Sequence, residues 1–278
     1  MSRILLAIAV ILATPPLSPP AWAAGAESPA LEAAQMLFYN GRYADAAAAT
    51  SELCTPDVSG LIACELRTSA LLFQLRRALD ASPDKEKAFK ECAPCADLLA
   101  TFVAETRRGQ GIARARLQMN PADEETTFLL GKLDLNYVWL QLGTLGRKTG
   151  WDEYWEARHS LDKVLKQNPG HIRAKVARAW IDYIVDTRMP RGTRWLLGGG
   201  NKKKGLRAVR EAATADADRF IRAEAGFALW DMQVRERNMA DALVTARSLA
   251  DDFPDNPELQ KFLTAQRQSP GSQSRILP

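Results

Sequence analysis

The stretch WDEYWEARHSLDKVLKQNPG, Trp151 to Gly170, decides how the rest of the chain is read. Tyr154, Ala157, Leu161 and Val164 recur at three and four and make one apolar face of a helix, while Trp151, Trp155 and His159 make the adjoining one. A helix with two such faces is buried between neighbours or lines a pocket. The run stops at Asn168-Pro169-Gly170, because proline removes a backbone donor and restricts the residue before it. Outward from here the punctuation repeats. Pro169 follows Ala157 by twelve residues, Pro254 follows Ala242 by twelve, and Pro121 follows Gly109 by twelve. Between these marks the apolar residues keep helical spacing: Leu161, Val164 and Leu165, then Ala246 and Leu249, then Ala113 and Leu117. From residue 29 onward alternating stretches are almost absent, so nearly all of the chain is predicted to be helical.

The bulk composition agrees. With 278 residues, 46% hydrophobic and 25% charged, with 17 Gly and 15 Pro, the chain has material for a packed core and falls outside the disordered, collagen-like and polytopic membrane classes. The 37 Lys and Arg against 33 Asp and Glu give a net charge of +4, too mild to point to sequence-independent nucleic-acid binding. Two histidines leave metal and general-base chemistry few candidates.

Residues 1–23 read as a secretory signal. Arg3 gives a positive start, Ile4 to Ala13 is unbroken apolar sequence, and Ala21-Trp22-Ala23 places small residues where a signal peptidase reads. Ten apolar residues span about 15 Å as a helix, half a bilayer core, so a membrane anchor is not expected there, and no later segment is expected to span. The predicted location is the periplasm or outside the cell, with one helical domain over 24–264 and a Ser-, Gln- and Pro-rich disordered tail over 265–278. In an oxidising compartment Cys54, Cys64, Cys92 and Cys95 are expected to pair. Cys54 with Cys64 and Cys92 with Cys95 is the simplest arrangement, and a cross pairing between the two segments stands beside it.

Asn40-Gly41-Arg42-Tyr43-Ala44-Asp45-Ala46 completes the repeat pattern: Gly41 permits a turn, Tyr43 packs into it, and Ala46 lets two helices approach closely. Together with Leu130-Gly131, Ala157…Pro169 and Ala242…Pro254, this resembles the tetratricopeptide repeat family, whose helix-turn-helix unit has a small residue early in its second helix and a proline twelve positions on. The resemblance covers residues 29 to 263, with insertions between Gly131 and Ala157 and between Ala177 and Gly205, and atypical helices from 58 to 106. It implies an all-α array of helical hairpins, an α-solenoid whose concave groove holds a peptide or another protein. It also implies a non-catalytic binding or scaffolding role without a cofactor. An accessory ligand-binding subunit of a solute transporter is the variant within that class.

Two stretches carry candidate chemistry. Cys92-Ala93-Pro94-Cys95 has the spacing of a thiol redox motif, which makes thiol-disulfide exchange the reading from another class. No strand-helix-strand pattern surrounds it, however, and a structural bridge or a four-cysteine zinc site also fits. Residues 195–205, WLLGGGNKKKG, lack the ending of a phosphate-binding P-loop. Their glycines suit a tight inter-helix turn and Asn201 suits the cap of the next helix. Arg188, Arg191, Arg194, Lys202, Lys203, Lys204, Arg207 and Arg210 crowd this neighbourhood with no acid until Glu211, which marks a solvated basic loop or a site for an anion or acidic partner. Trp139, Trp151, Tyr154, Trp155, Trp180 and Trp195 concentrate in the middle of the chain as core or as a ligand groove. His159 and His171 are expected to be surface or capping residues.

Overall fold

The computed structural model describes residues 28–79 and 82–268. The expected leader at 1–23 lies outside them, as does the tail beyond 268. Among the described residues there is no strand, and the chain is all-α. Twelve α-helices follow in order: α1 Pro29–Tyr39, α2 Tyr43–Ala49, α3 Val58–Leu79, α4 Lys85–Glu91, α5 Cys95–Met119, α6 Glu124–Val138, α7 Trp151–Gln167, α8 Ile172–Arg188, α9 Lys202–Ala213, α10 Arg219–Arg235, α11 Met239–Asp252 and α12 Pro257–Gln268. The two expected insertions hold a π-helical turn, Trp139–Thr144, and a 3₁₀ segment, Arg191–Leu197. The helical domain runs past the expected boundary at 264, because α12 continues to Gln268.

Local chemistry starts and stops these helices. The side chains of Ser28, Asp123, His171 and Asn201 accept hydrogen bonds from backbone N–H groups of the first turns of α1, α6, α8 and α9, each stabilising its helix by about 1 kcal/mol. At the other end α5, α7 and α11 stop at Asn120, Asn168 and Phe253, each directly before a proline. Helices adjacent in sequence pack on one another from α5 through α12, and α3 lies against α2, α5 and α6. Close approach needs small residues at the crossings. A Cβ on Gly205 of α9 would sit 2.8 Å from the Ala179 carbonyl oxygen of α8, and Ala157 of α7 is fully buried against α6.

The 22-residue α3 is long and apolar enough to cross a membrane, which corrects the expectation that no segment after the leader is. In the fold 67% of its most apolar window is buried by neighbouring helices, and it carries Glu65 and Arg67 in ion pairs. Its apolarity is accounted for by packing on several sides at once.

The first and last described helices meet. Tyr39, at the end of α1, stacks on Phe220 and Phe227 of α10 and lies 5.2 Å from the Phe253 ring. Asn256 donates to the Tyr39 carbonyl at 2.7 Å, and the Asp255 N–H donates to Asn40 Oδ1 at 3.1 Å. Gly41, at φ 72°, turns the chain in the left-handed region, and a Cβ there would lie 2.9 Å from Pro257. The turn glycine of the first hairpin is thus also where α12 docks.

Candidate functional site

The basic segment is built on the α8–α9 hairpin. After α8 ends at Arg188 the chain makes its 3₁₀ excursion and returns through Gly198-Gly199-Gly200, where a Cβ on Gly200 would meet the Asp186 backbone nitrogen at 2.7 Å. Asp186 closes the base of the excursion, pairing with the Arg194 guanidinium and accepting from the Lys202 backbone N–H at 2.8 Å. The far side is fastened to α7: Tyr154 Oη donates to the Leu197 carbonyl at 2.8 Å and Arg158 donates to the Gly198 carbonyl at 2.6 Å. Gly198 sits at φ 74°, a conformation that favours glycine. Asn201 caps α9 by accepting from the Lys204 N–H at 2.9 Å, as its position suggests.

The eight cations divide. Arg194 is consumed by Asp186 and Lys202 by Glu236 at 2.7 Å, which corrects the reading that no acid compensates this stretch before Glu211. A reading confined to the stretch missed Asp186, eight residues before Arg194 on α8, and Glu236 just after α10. Arg188, Arg191, Lys203, Lys204, Arg207 and Arg210 are exposed and make no ion pair with the described residues. Lys203, Arg207 and Arg210 fall at i, i+4 and i+7, one stripe along α9, while Gly205, Val209 and Ala212 are buried. Between these cations Trp195 is 73% and Leu196 52% exposed, whereas Leu197 is buried.

The four cysteines form two local bridges, Cys54–Cys64 and Cys92–Cys95, with Cα separations of 4.8 and 5.4 Å. Cys54 and Cys64 are both essentially unexposed, and Arg108 donates to the Cys54 carbonyl at 2.6 Å. Cys92 is half-buried at the end of α4, and Cys95 is buried in the first turn of α5. Mild reductant is therefore expected to open Cys92–Cys95 while the chain stays folded and to leave Cys54–Cys64 closed until unfolding. Alkylation followed by peptide mass spectrometry reads the order directly.

The aromatic concentration resolves into separate groups. Trp151, Tyr154, Trp155 and His159 form an edge-to-face and stacked run along α7, Trp180 meets Tyr183 on α8, and Trp195 stands apart. His171 caps α8 through Nδ1. Clefts of about 210 Å³ beside Leu31, Glu52 and Gly60, and of about 90 Å³ beside Leu243 and Leu263, are both smaller than the ~300 Å³ at which small-molecule sites begin. Among the described residues no cluster of His, Cys, Asp or Glu can hold a metal.

Sequence reasoning did not find the buried charges. Glu65 of α3, Lys132 of α6, Arg173 of α8 and Glu224 of α10 interlock where four helices converge. Lys132 reaches Glu224 at 2.6 Å, and Arg173 reaches Glu224 at 2.7 Å and Glu65 at 3.1 Å. Burial alone raises the Glu224 carboxyl, but the Lys132 ammonium and the Arg173 guanidinium outweigh it and hold the group well below the usual carboxylate range. Asp134, buried on α6 and accepting from Gln110 at 2.7 Å, is pushed the other way by burial and by Glu156. Each of these residues reads as an ordinary polar helix position in the linear sequence. Set beside this geometry, no protein-family model, no curated protein and no solved structure matches the chain.

Proposed function

We propose that the chain is an exported, tetratricopeptide-like array of helical hairpins that acts as a non-catalytic binding and scaffolding module, with the α8–α9 basic surface as its docking face for an acidic partner. One observation carries the reading. Six exposed, unpaired cations lie on α8, the 3₁₀ segment and α9, the segment between them carries the exposed Trp195 and Leu196, and the excursion is fastened at Asp186, Tyr154 and Arg158. A surface held in place yet left with unneutralised charge is poised to attract an opposite charge. The helix-on-next-helix packing and the proline-terminated helices support the repeat reading. The side on which α3, α6, α8 and α10 converge is bridged by the Glu65, Lys132, Arg173 and Glu224 ion pairs, so a peptide entering there would have to displace them. The outer α8–α9 surface needs no such displacement.

Reversing Lys203 and Lys204 to Glu is expected to reduce in-cell crosslinking of the tagged protein to its partner by tenfold or more, with helical circular dichroism unchanged. Unaltered capture would exclude a protein partner at this surface. Both side chains are exposed, and Lys202 is left intact because it pairs with Glu236.

A second reading, thiol-disulfide exchange at Cys92–Cys95, rests on the half-exposed Cys92 beside the buried Cys95 at a helix start. A potential below about −300 mV marks a structural bridge, and a more oxidising one marks exchange.

A further inference from the structure

The nature of the acidic partner follows from the shape of the docking face. Trp195 and Leu196 are adjacent, largely exposed and on a 3₁₀ turn, while the next residue, Leu197, is buried. Their exposure is not that of a loose loop, since backbone carbonyls at Leu197 and Gly198 are held by Tyr154 and Arg158 of α7, and Asp186 of α8 holds both Arg194 and the Lys202 N–H. The fold thus keeps an indole and an isobutyl group in water where apolar area is costly to leave exposed. No carboxylate lies between Asp186 and Glu211 in the sequence.

Resting on the reading of residues 188–210 as a docking face, we propose that this face seats on an anionic lipid bilayer. Trp195 and Leu196 enter the headgroup region, and Arg188, Arg191, Lys203, Lys204, Arg207 and Arg210 lie against the lipid phosphates. Three features favour a bilayer over an acidic protein. Trp195 and Leu196 are 73% and 52% exposed, whereas protein hot spots seat aromatics in desolvated pockets. Lysine is depleted at protein–protein interfaces and here supplies two of the six cations. Tryptophan flanked by Lys and Arg is the pairing found at membrane–water boundaries, where the ring takes the interfacial layer and the long cationic stems reach the phosphates.

The test uses the full mature chain and extruded vesicles of phosphatidylcholine alone or mixed equally with phosphatidylglycerol, read by co-sedimentation at 50 and 500 mM salt. The expected result is binding to the mixed vesicles at low salt, at least tenfold weaker on phosphatidylcholine and at high salt. The triple variant K203Q/K204Q/R207Q is expected to lose roughly 100-fold in partitioning, at about fivefold per cation near an anionic surface. W195A is expected to lose on the order of tenfold, from the indole area withdrawn from water. Brominated lipid should quench part of the wild-type tryptophan emission and less of it in W195F. All substituted side chains are exposed, and circular dichroism checks that each variant folds.

Absence of wild-type binding to the anionic vesicles, or equal partitioning of wild type and the triple variant, overturns the proposal. If vesicles fail while K203E/K204E still loses its crosslinked partner, the partner is an acidic protein and the docking face stands. If neither assay responds to these charges, both readings fall.

Discussion

Arg173→Ala is expected to destabilise the fold by about 3 kcal/mol, the lower end of the cost of breaking a buried ion pair by removing one partner, because the Lys132, Arg173 and Glu224 side chains keep 15–19% exposure. The guanidinium bridges Glu65 on α3 and Glu224 on α10 and lies 4.8 Å from the Phe128 ring centroid on α6. Without it the buried Glu65 carboxylate and the largely buried Glu224 carboxylate share the one Lys132 ammonium, 2.6 Å from Glu224 and 3.8 Å from Glu65. For a helical region of this size such a loss lowers the thermal midpoint by about 10 °C, which calorimetry measures. A midpoint within 2 °C of wild type would mean that the ion pairs contribute little to joining these helices.

The same cluster gives a signed pH dependence. The folded Glu224 carboxyl sits near 2, below its ordinary 4.5, so its contribution to stability is complete above pH 4.5 and disappears as the pH falls toward about 2. Arg173→Ala removes part of what lowers that carboxyl and should move acid unfolding to higher pH. Replacing Glu65, Lys132, Arg173 and Glu224 together by apolar residues of similar volume is expected to cost far less than the single change, since no uncompensated charge is then left buried.

Phe253→Ala is expected to cost about 3–5 kcal/mol, as for other fully buried aromatic truncations, and to do so at both ends of the chain. The ring is 0% exposed and packs between Phe227 and Tyr39. Its loss removes the apolar part of a contact whose polar part is Asn256 to the Tyr39 carbonyl and the Asp255 N–H to Asn40. Amide hydrogen exchange should therefore accelerate in α1 as well as in α11 and α12. Acceleration confined to α11 and α12 would mean that the first hairpin holds its place without the last helices.

These two expectations turn on contacts that no reading of the linear sequence supplied, whereas much else was legible. Apolar spacing around Ala157 and Ala242, the stops before Pro121, Pro169 and Pro254, and the Asn201 cap all depend on groups within about one helical turn. Side-chain identity decides such features directly. The two disulfides stayed local, so the simplest pairing was within reach, although a cross pairing stood close behind it until the helices were placed. The basic segment was visible as a run of charge, but not which members remain unpaired: Glu236 reaches Lys202 only because α10 lies beside α9.

Spacing and capping by themselves determined that this chain is helical, where three of its helices stop and α9 starts, and where its charge and thiols concentrate. The tertiary structure alone decided that residues 65, 132, 173 and 224 share one buried cluster, that Asn40 meets Asp255, and that six of eight cations face outward. The physical reason is distance along the chain. A cap or an apolar stripe is set by neighbours a few residues away, but a buried ion pair forms only where the summed angles of several helix crossings bring remote side chains within 4 Å, and no short stretch of sequence encodes that sum.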